Sequence, residues 1–276
     1  MPDTDDTSAL PDYAVRNRAA WTISNASYTA ARAHESWAND VHWGVWQVPE
    51  DEVHALPEMR GLDVIELGCG TAFWAAWLKK RGARRVVGVD ITPAQLATAR
   101  EMDAEFGLGL EFIEANAENV PLPDATFDFA FSEYGASIWC DPYLWIPEAA
   151  RLLRPGGDLM FMRNSTVQVL CSPDEGKVTE RLVRQQKGMH RFDWTDDDVG
   201  PSTDFHISGS ELFQLLRKTD FDVVDFRELF APGDAVDHPY YSYVPAEWAK
   251  QWPAEEIWRA RKRGGRSRRS GERATA

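Results

Sequence analysis

Thirty-two residues, "VIELGCGTAFWAAWLKKRGARRVVGVDITPAQ" from Val64 to Gln95, limit what this chain can fold into more than any other stretch. A short apolar run, "LDVIEL" (62–67), reads as a buried strand. Gly68 and Gly70 follow it, and then a helical stretch over 71–82. Phe73 and Trp77 stand four residues apart there, as do Trp74 and Leu78, and Gly82 supplies the stop. A second apolar run, "RVVGVD" (85–90), ends on Asp90. Strand, glycine turn, helix, strand and acid form the opening unit of a parallel α/β sheet.

The alternation continues downstream. Thr92 caps the next helix and Pro93 takes its first position, with Leu96, Ala99, Met102 and Phe106 facing inward. Further strands are read at 110–115, 127–132, 158–163 and 221–229, with "YYSYV" (240–244) as the seventh. Helices are expected at 11–38, just before Pro57, at 142–154, 175–187 and 209–219, and finally at 246–263. The expected fold is α/β: a Rossmann-like, doubly wound, mainly parallel seven-stranded sheet with added N-terminal helices and an insertion between strands five and six. In such sheets ligands bind beyond the carboxyl ends of the strands, at the switch point, which is where the two glycines fall.

The glycines allow a tight turn and a close approach of ligand to backbone. The helix after them offers unpaired N–H groups. Asp90 is placed to accept both hydroxyls of a ribose, so a nucleoside ligand accounts for both features. A dinucleotide fingerprint would need glycine at position 73, which holds Phe73. Glu66, two residues before the first glycine, would repel a pyrophosphate and welcome an ammonium or a sulfonium. The charge balance therefore favours S-adenosylmethionine over NAD.

At these residues the chain resembles the class I S-adenosylmethionine-dependent methyltransferases, of the kind called methyltransferase type 11. "VIELGCGTA", "VVGVDITPAQLATAR", "EANAENVPLPDATFDFAFSEYGASIW" and "EAARLLRPGGDLMF" carry the resemblance, over about residues 62–162. It implies that Glu66, Gly68 and Gly70 line the methionine part of the cofactor. It implies that Asp90, with Ile91 and Gln95, holds the ribose side, and that Asn116, Ala117 and Glu118 flank the adenine. Ser132, Glu133 and Tyr134 would sit near the methyl group. Ala72 departs from the pattern, since many members have a third glycine there; little consequence is expected. "SEYGASIWCDPY", "GMHRF" and the Trp-rich C-terminal part also resemble an actinobacterial group of methyltransferases whose substrate is unassigned.

The implied division is a disordered 1–11, one methyltransferase domain over 12–258 and a basic, disordered tail over 259–276. Within the domain, 12–60 would be a helical cap, 61–163 the cofactor core, 164–208 an acceptor-side insertion and 209–258 the rest of the sheet. The chain's net charge is −14, and 259–276 holds eight basic residues against Glu272 alone, which leaves −21 on the rest. An acidic body argues against wrapping by nucleic acid. Cys69, Cys140 and Cys171 are far apart and show no metal spacing, which suits a reducing compartment. An acidic N-terminus without an apolar run, and no stretch of transmembrane length, point to the cytoplasm and away from the membrane.

The expected activity is methyl transfer to a small-molecule acceptor by in-line displacement, with no metal. A base would be His42, His190, His206, Tyr134 or Asp141; the sequence does not choose among them, nor does it fix the oligomeric state. Trp37, Trp43, Trp46 and Trp139 are candidates to line the acceptor pocket, with a core-packing role the equal alternative for each. The alternatives are a methyltransferase acting on nucleic acid or protein through the tail, a non-catalytic S-adenosylmethionine-binding protein, and an NAD oxidoreductase.

Overall fold

The computed structural model of the chain describes residues 10–196, 200–239, 241 and 243–264. Helix α1 (Asp12–Ser24) passes through a π-helical turn (Asn25–Thr29) into α2 (Ala30–Ala38). The strands β1 (His42–Trp43) and β2 (Val48–Pro49) pair, and α3 (Glu50–Val53) follows. Then come β3 (Asp63–Leu67), α4 (Phe73–Lys80), β4 (Arg85–Asp90), α5 (Pro93–Phe106), β5 (Glu111–Glu114), β6 (Phe127–Glu133), α6 (Ala136–Trp139), α7 (Pro142–Leu152) and β7 (Leu153–Asn164). Next are α8 (Thr166–Cys171), the hairpin β8 (Arg191–Asp196) and β9 (Gly200–Phe205), and α9 (Gly209–Lys218). β10 (Phe221–Leu229), α10 (Ala246–Ala249) and β11 (Glu255–Lys262) complete it.

Seven strands form one sheet in the order β10-β11-β7-β6-β3-β4-β5. The five from β7 to β5 are parallel, and β11 runs antiparallel to both β7 and β10. The chain winds outward from β3 through β4 to β5 and then returns to β6 on the other side of β3, so the switch point lies between β3 and β6. Side chains alternate across the sheet: Val64 and Val86 pack into one apolar layer, and Ile65, Val87 and Val89 into the other. The expected fold class is the observed one.

Three local readings are corrected. The last helix, expected at 246–263, survives only as α10; "EEIWRARK" is β11, the strand expected at 240–244. Alanines and alternating charges there read as helix, but tertiary partners override that preference. Asp158 accepts hydrogen bonds from Arg259 and Arg261, and the Lys262 ammonium donates to Ala150 O and Leu153 O. The basic segment thus begins inside the sheet, not in a tail from Arg259. The segment at 175–187 is irregular. The helix expected to run unbroken over 11–38 swells into the π-helical turn where Asn25 donates to Ala94 O and Thr98 Oγ1, tying the cap to α5. The readings for 1–9 and 265–276, and for Tyr240 and Ser242, lie outside the described residues.

Between β7 and β11 the Arg163 guanidinium donates to Glu256 Oε1 at 2.8 Å and to Ile207 O, with the two side chains 3% and 4% exposed. Trp258 Nε1 and Thr166 N also donate to the Glu256 carboxylate. Removing one partner strands a buried charge. Glu256→Ala is expected to lower unfolding stability by about 3–5 kcal/mol in a urea titration. Lys177→Ala, which breaks the exposed pair with Asp237, is expected to cost less than about 0.5 kcal/mol.

Candidate active site

The turn after β3 is fastened to the end of β4. Gly68 N and Cys69 N donate to Val89 O, and Gly70 N donates to Asp90 Oδ2 at 2.8 Å. The other oxygen, Asp90 Oδ1, accepts from Thr92 N at 2.8 Å. Burial raises the Asp90 pKa, and those backbone N–H groups oppose the rise. Gly68 has φ 75° and Gly70 φ 55°. A Cβ on Gly68 would lie 2.6 Å from Ala136 N, and one on Gly135 would lie 2.2 Å from Gly68 O. The turns ending β3 and β6 therefore cross backbone to backbone at the switch point, and only glycine permits it. Ala72, at the position where a third glycine was noted as usual, takes φ 62° with its methyl buried. The cost of that left-handed conformation, about 1–2 kcal/mol, is partly offset by burying the methyl, about 0.8 kcal/mol.

A pocket opens over these strand ends. Its floor is Gly68 to Thr71, Asp90 to Thr92, Ala115 to Ala117 and Glu133 to Ala136. Its roof comes from α1 (Tyr13, Asn17, Trp21), from α2 (Arg32, Glu35), from 42–47 and from His238 and Tyr241. Polar bonds hold α1 in place. Tyr13 Oη donates to Glu118 Oε2 at 2.6 Å, and Asn17 exchanges two bonds with the backbone of Thr203 on β9. The Trp21 and Trp139 rings meet edge to face at 5.3 Å.

Of the residues expected at the cofactor, Gly68, Gly70, Asp90, Ile91, Gln95, Asn116, Ala117 and Tyr134 share this wall. Glu66, Glu118 and Ser132 do not. Glu66 is 2% exposed and accepts from Ala75 N, so its carboxylate caps the first turn of α4. Glu118 accepts from Tyr13, from Asn116 and from Asp141 N, and so links roof to floor. Ser132 Oγ donates to Leu67 O between the two crossing turns.

The aromatic expectation is met by Trp139 alone. Trp37 and Trp43 are fully buried, with indole N–H groups on Thr71 O and Glu50 Oε2, and Trp46 packs in the same core. These rings strap the N-terminal segment onto α4. Among the suggested bases, His42 and Tyr134 are on the wall. His190 lies within hydrogen-bonding distance of Asp141, His206 is buried beside Asp204, and Asp141 caps α7. The insertion at 164–208 contributes no wall residue among those described; it buttresses α1 through Thr203 instead. Sequence reasoning missed Tyr13, Trp21, Gly44 and Gly135. Only Gly135 gave a signal, as a glycine a few residues after a strand end.

Glu133 ends β6 on the pocket wall, its pKa pushed up to about 8 by burial and then by the Glu255 carboxylate. The Gly44 N–H only partly opposes this. Glu66 and Glu255 are raised as well, chiefly by burial. Among the described residues no three His, Cys, Asp or Glu side chains converge on a point that could hold a metal, and no helix is long and apolar enough to cross a membrane.

Residues 65–161 match the family described as methyltransferase domain. The chain is 34% identical over 107 residues to the malonyl-(acyl-carrier protein) O-methyltransferase of Pectobacterium atrosepticum, a match covering 38% of this chain and 40% of that one. The chain thus spans less than half the length of that relative. It is 30% identical over 181 residues to the phosphatidylethanolamine N-methyltransferase of Cereibacter sphaeroides, covering 64% of this chain and 82% of that one. A solved S-adenosylmethionine-dependent methyltransferase from Mesorhizobium loti superposes with a TM-score of 0.63 at 23% identity, over 79% of this chain and 100% of that one, a likeness of fold.

The raised acid at Glu133 has a consequence for stability. Its folded pKa of about 8 lies above the ordinary 4.5. Between those values the folded chain binds more protons than the unfolded one, so stability falls as pH rises through that window. Glu133→Gln removes the titration. In thermal melts it is expected to exceed wild type by about 1–2 kcal/mol at pH 9, after allowance for solvent screening, and to converge with it near pH 5.

Proposed function

On the premise that this chain belongs to the class I S-adenosylmethionine-dependent methyltransferases, we propose that it methylates a small-molecule acceptor, with the adenosyl ligand lying across the ends of β3, β4 and β5. The observation that carries this is Asp90: a buried carboxylate on the pocket floor, holding the glycine turn by one oxygen and the start of α5 by the other. The fit is chemical as well as spatial. Gly68 and Gly70 leave bare backbone on the floor, and Phe73 on the wall occupies the position where a pyrophosphate would need glycine. Of the charged side chains on the wall among the described residues, Glu35, Asp90 and Glu133 are acids and Arg32 is the base. That balance suits a ligand with a net positive charge.

Bound S-adenosylmethionine supplies a methyl group activated on a sulfonium, which departs as a neutral thioether. The chain's own residues do the rest. Asp90 and Gln95 orient the ribose side, Asn116 and Ala117 bound the adenine side, and Glu133 and Tyr134 border the acceptor. The roof of α1 and α2 excludes water and holds the acceptor in line. A roofed cavity of this kind supports a small acceptor over a macromolecular one.

Calorimetric titration tests both parts. Wild type is expected to bind S-adenosylmethionine and S-adenosylhomocysteine at micromolar concentration and NAD not at all, and Asp90→Asn is expected to weaken the adenosyl ligands at least ~10-fold, about 1.4 kcal/mol. A chain truncated after Gly264, which keeps β11 whole, is expected to retain that binding and its turnover of a small acceptor. Loss of turnover with binding intact would favour a macromolecular acceptor read by residues 265–276.

A further inference from the structure

Glu133, Tyr134 and Glu255 form a group that the cofactor reading leaves without a task. Glu255, on β11, is 1% exposed. Its Oε1 accepts from Tyr134 Oη at 2.5 Å and from Val45 N at 2.8 Å. Its Oε2 is buried with no partner among the described residues, pressed against Gly44, where a Cβ would lie 2.1 Å away. Gly44 in turn faces the pocket, and its N–H faces Glu133. Tyr134 has φ 49°, a left-handed conformation that a bulky residue rarely adopts. That strained backbone is the one that brings its hydroxyl to Glu255. Two neighbouring carboxylates and an unsatisfied buried oxygen call for a positive charge or a proton.

The place of this group in the pocket decides which ligand brings that charge. In the order β6-β3-β4-β5, Glu133 stands three strand spacings, about 14 Å, from the residues that follow β5. An adenosyl ligand across β3 to β5 leaves Glu133 at the opposite end. S-adenosylmethionine carries a single net positive charge, its ammonium and carboxylate cancelling. The wall holds three acids against Arg32, with Glu255 behind them. Burial holds His42 and His238 below the ordinary histidine range, so neither adds a charge at neutral pH. Without a facing cation Glu133 takes up a proton below about pH 8; with Glu133 ionised, one more cation is needed beside it, and the acceptor is the partner left to bring it. The aromatic walls of Tyr134 and Tyr241 suit a cation too.

We infer that the acceptor is a basic amine that enters as its ammonium form, is held by Glu133, and gives its proton to Glu133 as nitrogen is methylated. The inference rests on the methyltransferase reading and names its substrate class. In the step, an ammonium proton passes to a carboxylate oxygen of Glu133. The nitrogen electron pair so freed forms the N–C bond while the C–S bond breaks, its pair remaining on sulfur. The product is the N-methylated ammonium, carrying the charge that sulfur held. Glu133 thus acts as a catalytic residue, and Glu255, held by Tyr134, acts as a positioning residue. The titratable groups that face Glu133 are Glu255 from β11, Glu66 from β3 and Tyr134 beside it.

The test uses the full chain with benzylamine, phenethylamine and tryptamine, the corresponding alcohols, and the corresponding carboxylic acids. Binding is read by calorimetry in saturating S-adenosylhomocysteine, and methyl transfer by mass spectrometry between pH 6 and 9. Amines are expected to bind at least ~10-fold tighter than alcohols and to be the class methylated, with kcat/KM rising with pH to a plateau above about 8. Glu133→Gln is expected to lower kcat about 100-fold or more, to lose that rise, and to keep S-adenosylhomocysteine affinity within about threefold of wild type. Glu133→Asp should restore part of the rate. Equal treatment of amines and alcohols, or an unchanged Glu133→Gln, overturns the inference while S-adenosylhomocysteine binding upholds the cofactor reading. A Glu133→Gln variant that is folded but has lost S-adenosylhomocysteine overturns it by placing Glu133 at the cofactor. Absence of adenosyl binding to wild type removes the methyltransferase reading itself.

Discussion

The carboxylate of Asp90 is divided between two backbone N–H groups, Gly70 at one oxygen and Thr92 at the other. That division joins the turn after β3 to the turn after β4, which no ladder hydrogen bond could do beyond the last paired residues, Leu67 and Val89. The turn so fixed lets Gly68 pass against Gly135, and the crossing sets where β6 ends. Asp90 is also part of the pocket floor. One buried acid thus shapes the cavity and faces its ligand. It is desolvated for both purposes, and the two N–H groups help keep it ionised.

Other acids of the site and the sheet divide the work differently. Glu66 serves the helix, accepting from Ala75 N with its side chain out of the pocket. Glu118 serves the roof, joining Tyr13 to the loop after β5 and to Asp141 N. Glu256 is matched by Arg163 inside the sheet. Glu133 and Glu255 have no such cation, and burial raises both, with the Glu255 carboxylate adding to the rise at Glu133. A protein spends stability on uncompensated charge mainly where a ligand will answer it.

The roof shows why similar residues took different roles. Trp37, Trp43 and Trp46 sit close in sequence to the pocket-lining His42 and Gly44, and from sequence each reads equally as pocket wall or as core. In three dimensions Trp43 packs on Trp74, with their ring centroids 4.6 Å apart, and Trp37 reaches Thr71 O. They hold the cap down. The residues that face the cavity, Tyr13 and Trp21, come from α1, whose place depends on Glu118 and on the β8–β9 hairpin more than 90 residues away in sequence.

The sequence by itself determined the sheet, the glycine turn and Asp90, because each rests on local pattern. Apolar runs of five or six residues must be buried strands, a turn this tight needs glycine, and a helix must follow within a few residues. The family and its cofactor were legible for the same reason, since their recognition groups lie within that contiguous unit. The tertiary structure alone decided that "EEIWRARK" is a strand, for Arg259 and Arg261 meet Asp158, and Glu256 meets Arg163, across the sheet. It alone turned Glu66 away from the pocket and set Glu255 beside Glu133. The reason is physical: a carboxylate's direction is set by which N–H groups lie within hydrogen-bonding distance, and for Glu66 that group, Ala75 N, belongs to a helix that folding brings beside it.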